Sequence, residues 1–205
     1  MKKVKRVLHT MIQGSPEWFE VRCGMATASH FSDVMAYDCK KWGDGAKKYA
    51  MRTAVEGITK NPIPTYSNKN MEMGVEFEPI ARDLYEEDQI VSVEQVGFME
   101  YGKCGASTDG LVGKDGMIEI KSVLYNTMFK NIEKGYDSTY FWQMQGNMWI
   151  YNRKWCDFVS YANSFPEGKQ LHVCRVLKDE AAIKRLSTRL DEFEELVETY
   201  RKIIG

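Results

Sequence analysis

Apolar residues recur at helical spacing over roughly the first ninety positions and at strand-like spacing after that. Residues 14–22 (GSPEWFEVR) read as a helix start. Ser15 suits the N-cap, Pro16 the first helical position and Glu17 the first turn, with Trp18, Phe19 and Val21 turned inward. Gly24 breaks that pattern. Residues 27–36 (TASHFSDVMA) restart it, with Thr27 or Ser29 near the cap and Phe31, Val34 and Met35 as a buried stripe. A third helix is predicted over 45–60, with Tyr49, Met51, Val55 and Ile58 in the core. The prolines and asparagines of 61–70 predict a loop. A fourth helix over 74–89 places Phe77, Ala81, Leu84 and Tyr85 on one side, and Pro79 warns of a later start or a kink.

Strand-like segments follow at 90–102, 110–113, 117–123, 155–162 and 171–177, interrupted by an aromatic-rich helix over 138–152. In that helix Trp142, Trp149 and the methionines read as core. A long closing helix spans about 178–203, where Leu186, Leu190, Phe193, Val197 and Tyr200 form an amphipathic stripe. No repeat or linker divides the chain. The order predicts one α/β domain over 1–205, with a central mixed β-sheet flanked by helices. Its helical part lies at about 13–90, its sheet at about 91–177 and its closing helix at the end.

Composition changes this picture little. The chain has 205 residues, 43% hydrophobic, which suits one domain with a sizeable core. No apolar run approaches the ~20 residues that span a bilayer, and the basic N-terminus is not followed by a signal-peptide core, so a cytoplasmic protein is expected. The five scattered cysteines have no Cys-x-x-Cys spacing and read as free thiols. His9, His30 and His172 form no ligand pair. A net charge of −1 does not advertise a nucleic-acid partner, although Lys40, Lys41, Lys47 and Lys48 cluster and the C-terminal end is acidic.

The candidate chemistry lies in residues 107–121 (STDGLVGKDGMIEIK). Asp115-Gly116 signals a hairpin turn. Alternation then puts Glu119 and Lys121 on one face and Ile118 and Ile120 on the other, with the isoleucines in the core. Asp109, on the partner strand, can lie across from the Glu119–Lys121 pair. Read alone, this is equally a surface salt bridge worth ~0–1 kcal/mol. It is also what phosphodiester hydrolysis needs: hard oxygen ligands for Mg²⁺ or Mn²⁺, and a cation to hold water and stabilise charge.

Several segments together resemble the lambda-exonuclease/YqaJ-type viral recombinase family of the PD-(D/E)xK nuclease superfamily. Asp109, nine residues, then Glu119-x-Lys121 matches the superfamily core, with Thr108 where the proline usually stands. Residues 13–36 resemble the family's opening motif, and 73–87 its Gly-x(3)-Glu-x(3)-Arg helix, here Gly74, Glu78 and Arg82. Residues 107–122 resemble its catalytic strands, and 143–161 its glutamine helix and following strand.

The resemblance implies a restriction-endonuclease-like core and a Mg²⁺-dependent exonuclease. Such an enzyme digests one strand of duplex DNA from a 5′ end to 5′ mononucleotides and leaves a 3′ single strand for recombination by strand annealing. It implies two ions, for which Mn²⁺ can substitute. Their ligands are Asp109, Glu119 and the Ile120 carbonyl, with Glu78 contributing through water. Lys121 positions the attacking water. Arg22, Ser29 and Ser107 match a 5′-phosphate pocket. Gln145 is favoured as the helix glutamine of the site, with Gln143 beside it as a DNA contact. The bland alternatives are that Glu78 pairs with Arg82, Arg22 with a nearby acid, and Ser29 caps a helix. The family further implies a ring-shaped homotrimer, a phage origin, a single-strand annealing partner and no membrane. An endonuclease or opposite-polarity exonuclease on the same fold, or a non-catalytic DNA-binding protein, are the rival readings.

Overall fold

The computed structural model describes residues 4–64 and 69–205. In chain order, β1 (Arg6–His9), α1 (Pro16–Val21), β2 (Ala26–Thr27), α2 (Phe31–Val34), α3 (Asp44–Thr59) and α4 (Lys69–Gln89) come first. Short strands follow: β3 (Val93–Glu94), β4 (Phe98–Tyr101), β5 (Cys104–Ala106) and β6 (Gly110–Val112). Then come β7 (Gly116–Ser122), α5 (Tyr125–Lys134), α6 (Phe141–Tyr151), β8 (Trp155–Tyr161), β9 (Leu171–Leu177) and α7 (Glu180–Ile204). Of the loop expected at 61–70, residues 65–68 lie outside the described residues, and 69–70 already belong to α4.

The strands form two sheets rather than one. The order is β1-β4-β5-β2 in one and β3-β6-β7-β8-β9 in the other. Both are mixed: β2 runs parallel to β5, and β7 parallel to β8, while the remaining pairs are antiparallel. The sequence pattern did not reveal β1, β2, β5 or α5. The first three are at most four residues long, below the length at which alternation stands out.

The five-stranded sheet is covered on both faces. On one, Met117 and Phe158 pack with Met144 and Met148 of α6 and with Leu186, Leu190 and Phe193 of α7. On the other, Ile118, Ile120 and Val159 pack with Ala81 and Tyr85 of α4. This overturns the expectation of an open, wet face for Glu119. Residues 116–120 are buried throughout, because β7 is an interior strand with helices on both sides.

Two helix faces also differ from expectation. In α1 the N-cap forms as predicted, Ser15 Oγ accepting from the Trp18 amide, but no residue of the helix is buried and Phe19 is exposed. In α3 the buried stripe is Ala46, Tyr49, Ala50, Thr53 and Ala54, whereas Met51 and Ile58 are exposed. The alanines let α7 approach closely, and the Tyr49 ring stacks on Phe193 with centroids 5.3 Å apart. A stripe of small residues wins over one of larger residues because contact with α7 decides which side is covered.

Helix α4 runs through Pro79. The bond Pro79 cannot donate would go to the carbonyl of Val75, a residue 79% exposed, where water can take its place. Asp157 of β8 ties α4 to the sheet. Its buried carboxylate accepts two hydrogen bonds from Arg175, at 2.7 and 2.8 Å, and one from the Tyr85 hydroxyl at 2.8 Å. Glu78, two helical turns before Tyr85, is thereby held along the same face.

Candidate active site

The β6–β7 hairpin positions the first three candidate residues. Its register pairs Gly110 with Ile118 and Val112 with Gly116. The connection is therefore Gly113-Lys114-Asp115, with Gly113 at φ 53°, rather than a turn centred on Asp115-Gly116. Gly116 is already in the strand, and a Cβ there would lie 2.1 Å from the Trp155 ring. One position beyond the Gly110–Ile118 pair, Asp109 returns to β7, and its Oδ2 accepts from the Ile120 amide at 2.6 Å. Thr108, where the superfamily has proline, is fully buried, and its hydroxyl donates to the Ile118 carbonyl at 2.8 Å. It shapes the chain before Asp109 by a hydrogen bond instead of a ring.

Glu119 is the centre of the arrangement. It is 1% exposed. Its Oε1 accepts from Lys121 Nζ at 2.6 Å and from Gln143 Nε2 at 2.5 Å, and its Oε2 from Asn147 Nδ2 at 3.1 Å. Burial raises its pKa to about 7, with Lys121 pulling the other way and Asp109 adding to the rise. The Lys121 ammonium shifts the opposite way. Burial disfavours its charge, but Glu119 and then Asp109 outweigh that and hold its pKa above the ordinary lysine value. Its Nζ also lies 5.0 Å from the centre of the Tyr140 ring. Glu78 pairs with Arg82, the bland alternative, yet burial and then Asp109 raise its pKa while Arg82 and Lys121 lower it. Three carboxylates and one ammonium therefore share one electrostatic field.

Among the described residues, no three His, Cys, Asp or Glu side chains converge into a ready metal cage. Each carboxylate instead has a donor of its own: Arg82 for Glu78, the Ile120 amide for Asp109, and Lys121 with two amides for Glu119. The donor set nevertheless fits a hard divalent cation. It offers carboxylate oxygens, two of them on groups whose pKa rises partly through mutual repulsion, which a cation would relieve.

Gln145 does not belong to this cluster. Its side chain is fully buried and points away, Nε2 donating to the Leu177 carbonyl at 3.0 Å and Oε1 accepting from the Asp179 amide at 2.8 Å. The preference for Gln145 over Gln143 is thus reversed. Residues two apart on a helix face different sides, and α6 turns Gln143 and Asn147 toward Glu119.

A cleft of about 1020 Å³ is lined by Glu78, Asp109, Arg22 and Ser29, together with Arg52, Trp18 and Phe19. Arg22 makes no ion pair among the described residues. Its guanidinium lies 3.7 Å from the centre of the Trp18 ring, and burial lowers its pKa to about 10. The Trp18 indole N–H donates to Ser107 Oγ at 2.9 Å. Trp18 thus joins Arg22 to Ser107, a role that reading it as a core residue missed. Ser29 is exposed, with only a 3.4 Å contact from its hydroxyl to that of Thr27. The three histidines are satisfied by Glu100, Asp33 and the Gly135 carbonyl. All five cysteines are free.

Fold and site together define an α/β protein of the PD-(D/E)xK nuclease type. A model of the YqaJ-like viral recombinase domain matches residues 17–154. An alkaline exonuclease from Laribacter hongkongensis is 32% identical, over 93% of this chain and 96% of its own, with a TM-score of 0.84. Its complex with dAMP matches at 33% identity and a TM-score of 0.85, with the same coverage. A phage-related exonuclease from Haemophilus somnus 129PT, 14% identical over 88% of this chain and 96% of its own, shares the fold at a TM-score of 0.75. No curated protein matches the chain. The chain belongs to the YqaJ-like viral recombinase family. That membership supports a nuclease, specifically a DNA exonuclease of recombination.

Proposed function

We propose that this chain is a divalent-cation-dependent exonuclease that degrades one strand of linear duplex DNA from its 5′ end. It releases 5′ mononucleotides and leaves a 3′ single strand for annealing. The observation that carries the reading is the buried Glu119–Lys121 pair beside Asp109, which itself lines one cleft with Glu78 and Arg22.

Asp109, Glu119 and the Ile120 carbonyl would hold the cation, Mg²⁺ or Mn²⁺, with Glu78 completing the acidic set through water. When bound, the cation supplies Lewis-acid activation and neutralises charge on the scissile phosphate. Two ions are expected by family resemblance. Lys121 remains an ammonium at neutral pH, since its pKa lies above the ordinary lysine value. It acts as a donor that orients the attacking water and stabilises developing negative charge. Gln143, an uncharged donor already on Glu119, is the helix glutamine of the site. Arg22 would grip a terminal 5′-phosphate bidentately, with Ser107 and Ser29 completing the pocket.

The preference for a 5′ end rests on Arg22, which has no acidic partner among the described residues and stacks on a ring lining the cleft. A ring-shaped homotrimer, an annealing partner and action in the host cytoplasm follow from the family and belong to the proposal. No described helix is long and apolar enough to cross a membrane.

The test is digestion of end-labelled linear duplex with Mg²⁺ or with chelator, comparing 5′-phosphate and 5′-hydroxyl ends. Cation-dependent release of 5′ mononucleotides, lost in Lys121→Ala and faster on phosphorylated ends, is expected. Digestion that survives in Lys121→Ala contradicts the mechanism. An Arg22→Ala variant that keeps the end preference contradicts the polarity argument. An inert wild type favours a non-catalytic DNA-binding protein.

A further inference from the structure

Helix α6 presents two amides to Glu119. Gln143 shares Oε1 with Lys121, whereas Asn147 alone among the described residues takes Oε2, at 3.1 Å. Asn147 is fully buried among methionines of the same helix, Met144 and Met148. The position costs stability, because its Oδ1 is buried with no hydrogen-bond partner among the described residues. An unmet acceptor of this kind is destabilising, and an apolar side chain there would avoid it.

Close packing fixes the amide's place. A Cβ on the neighbouring Gly146 would lie 2.4 Å from the Phe31 ring, so α6 rests directly on Phe31 and Ala28 with no room to shift. A rigid helix thus brings one donor to the Glu119 oxygen that Lys121 and Gln143 leave alone.

We propose that Asn147 is a positioning residue of the nuclease centre, acting through Glu119. It orients the carboxylate by holding Oε2, so that Glu119 is turned to receive a divalent cation. This rests on the nuclease reading above. The physical reason is that a carboxylate must be correctly turned to ligate, and an N–H donated to one oxygen from a rigid helix fixes that turn. A merely structural asparagine would affect folding and leave cation affinity alone.

The test uses Asn147→Ala and Asn147→Ser, both too short to reach Oε2 directly. Serine keeps a polar group in the site, so that at least one variant folds. Mn²⁺ binding is measured calorimetrically without DNA, alongside thermal unfolding and steady-state digestion of 5′-phosphorylated duplex. The expected result is cooperative unfolding, Mn²⁺ affinity weakened about tenfold or more, kcat reduced and KM for DNA within about twofold of wild type. A folded variant whose Mn²⁺ affinity and kcat both stay within about twofold of wild type overturns the role of Asn147. A wild type that binds no Mn²⁺ overturns the nuclease reading itself, so the two failures are distinguishable.

Discussion

Gln143 and Gln145 stand two residues apart and have opposite fates, and exchanging each for alanine separates chemistry from stability. Gln145→Ala removes two hydrogen bonds, to the Leu177 carbonyl and from the Asp179 amide. The second matters because Asp179 caps α7, its side chain accepting from the amides of Ala181 and Ala182. Each lost bond is worth ~1 kcal/mol net, and truncating a fully buried side chain adds a cavity cost, for a total of about 2–3 kcal/mol. At ~2–4 °C per kcal/mol for a domain of this size, Tm should fall by about 5–10 °C. Gln143→Ala instead removes a half-buried donor to Glu119 Oε1, while Lys121 remains on that oxygen. Its Tm should stay within ~2 °C, and kcat should fall roughly tenfold to a hundredfold. Thermal unfolding and initial digestion rates, taken well below either Tm, measure both. If Gln145→Ala loses kcat as far as Gln143→Ala while its Tm is unchanged, the assignment of the two glutamines is wrong.

The pH dependence of stability follows from Glu119. Its folded pKa of about 7 lies above the ordinary 4.5, so its contribution is fully present below pH ~4.5 and lost as pH rises through ~7. The loss is on the order of 3 kcal/mol. Wild-type protein in chelator should therefore lose Tm between pH 5 and 8, Glu119→Gln should lose less, and Mn²⁺ should restore wild type alone; equal slopes for the two proteins would sink the argument. Beside Arg22, Trp18→Phe keeps a ring beneath the guanidinium but loses the bond to Ser107. The rate advantage of 5′-phosphorylated ends should fall a few-fold in Trp18→Phe and further in Trp18→Ala, as measured by initial rates. No change in either would mean that Trp18 does not organise the pocket.

The sequence by itself determined the order of long elements and the spacing of Asp109, Glu119 and Lys121. Local rules suffice for these. Helix α7 declares itself by a repeat of apolar positions, the N-cap at Ser15 by its own side chain, and the pair on β7 by the two-residue period of a strand. Family resemblance supplied the meaning of the spacing, since alternation alone allowed a surface salt bridge.

Only the tertiary structure decided what covers each face. The face of β7 that carries Glu119 is closed by α6, and a glutamate expected beside water is buried and pushed to a pKa of about 7. The alanine stripe of α3 is buried in place of Met51 and Ile58, because α7 lies against it. The motif favoured Gln145 over Gln143; the rotation of α6, fixed by Gly146 against Phe31, gave Gln143 to the site and Gln145 to the cap of α7. Trp18 and Asn147 have partners that were illegible for the same reason. Each acts through a residue distant in sequence, Ser107 or Glu119, and no local pattern encodes a partner that folding alone brings near.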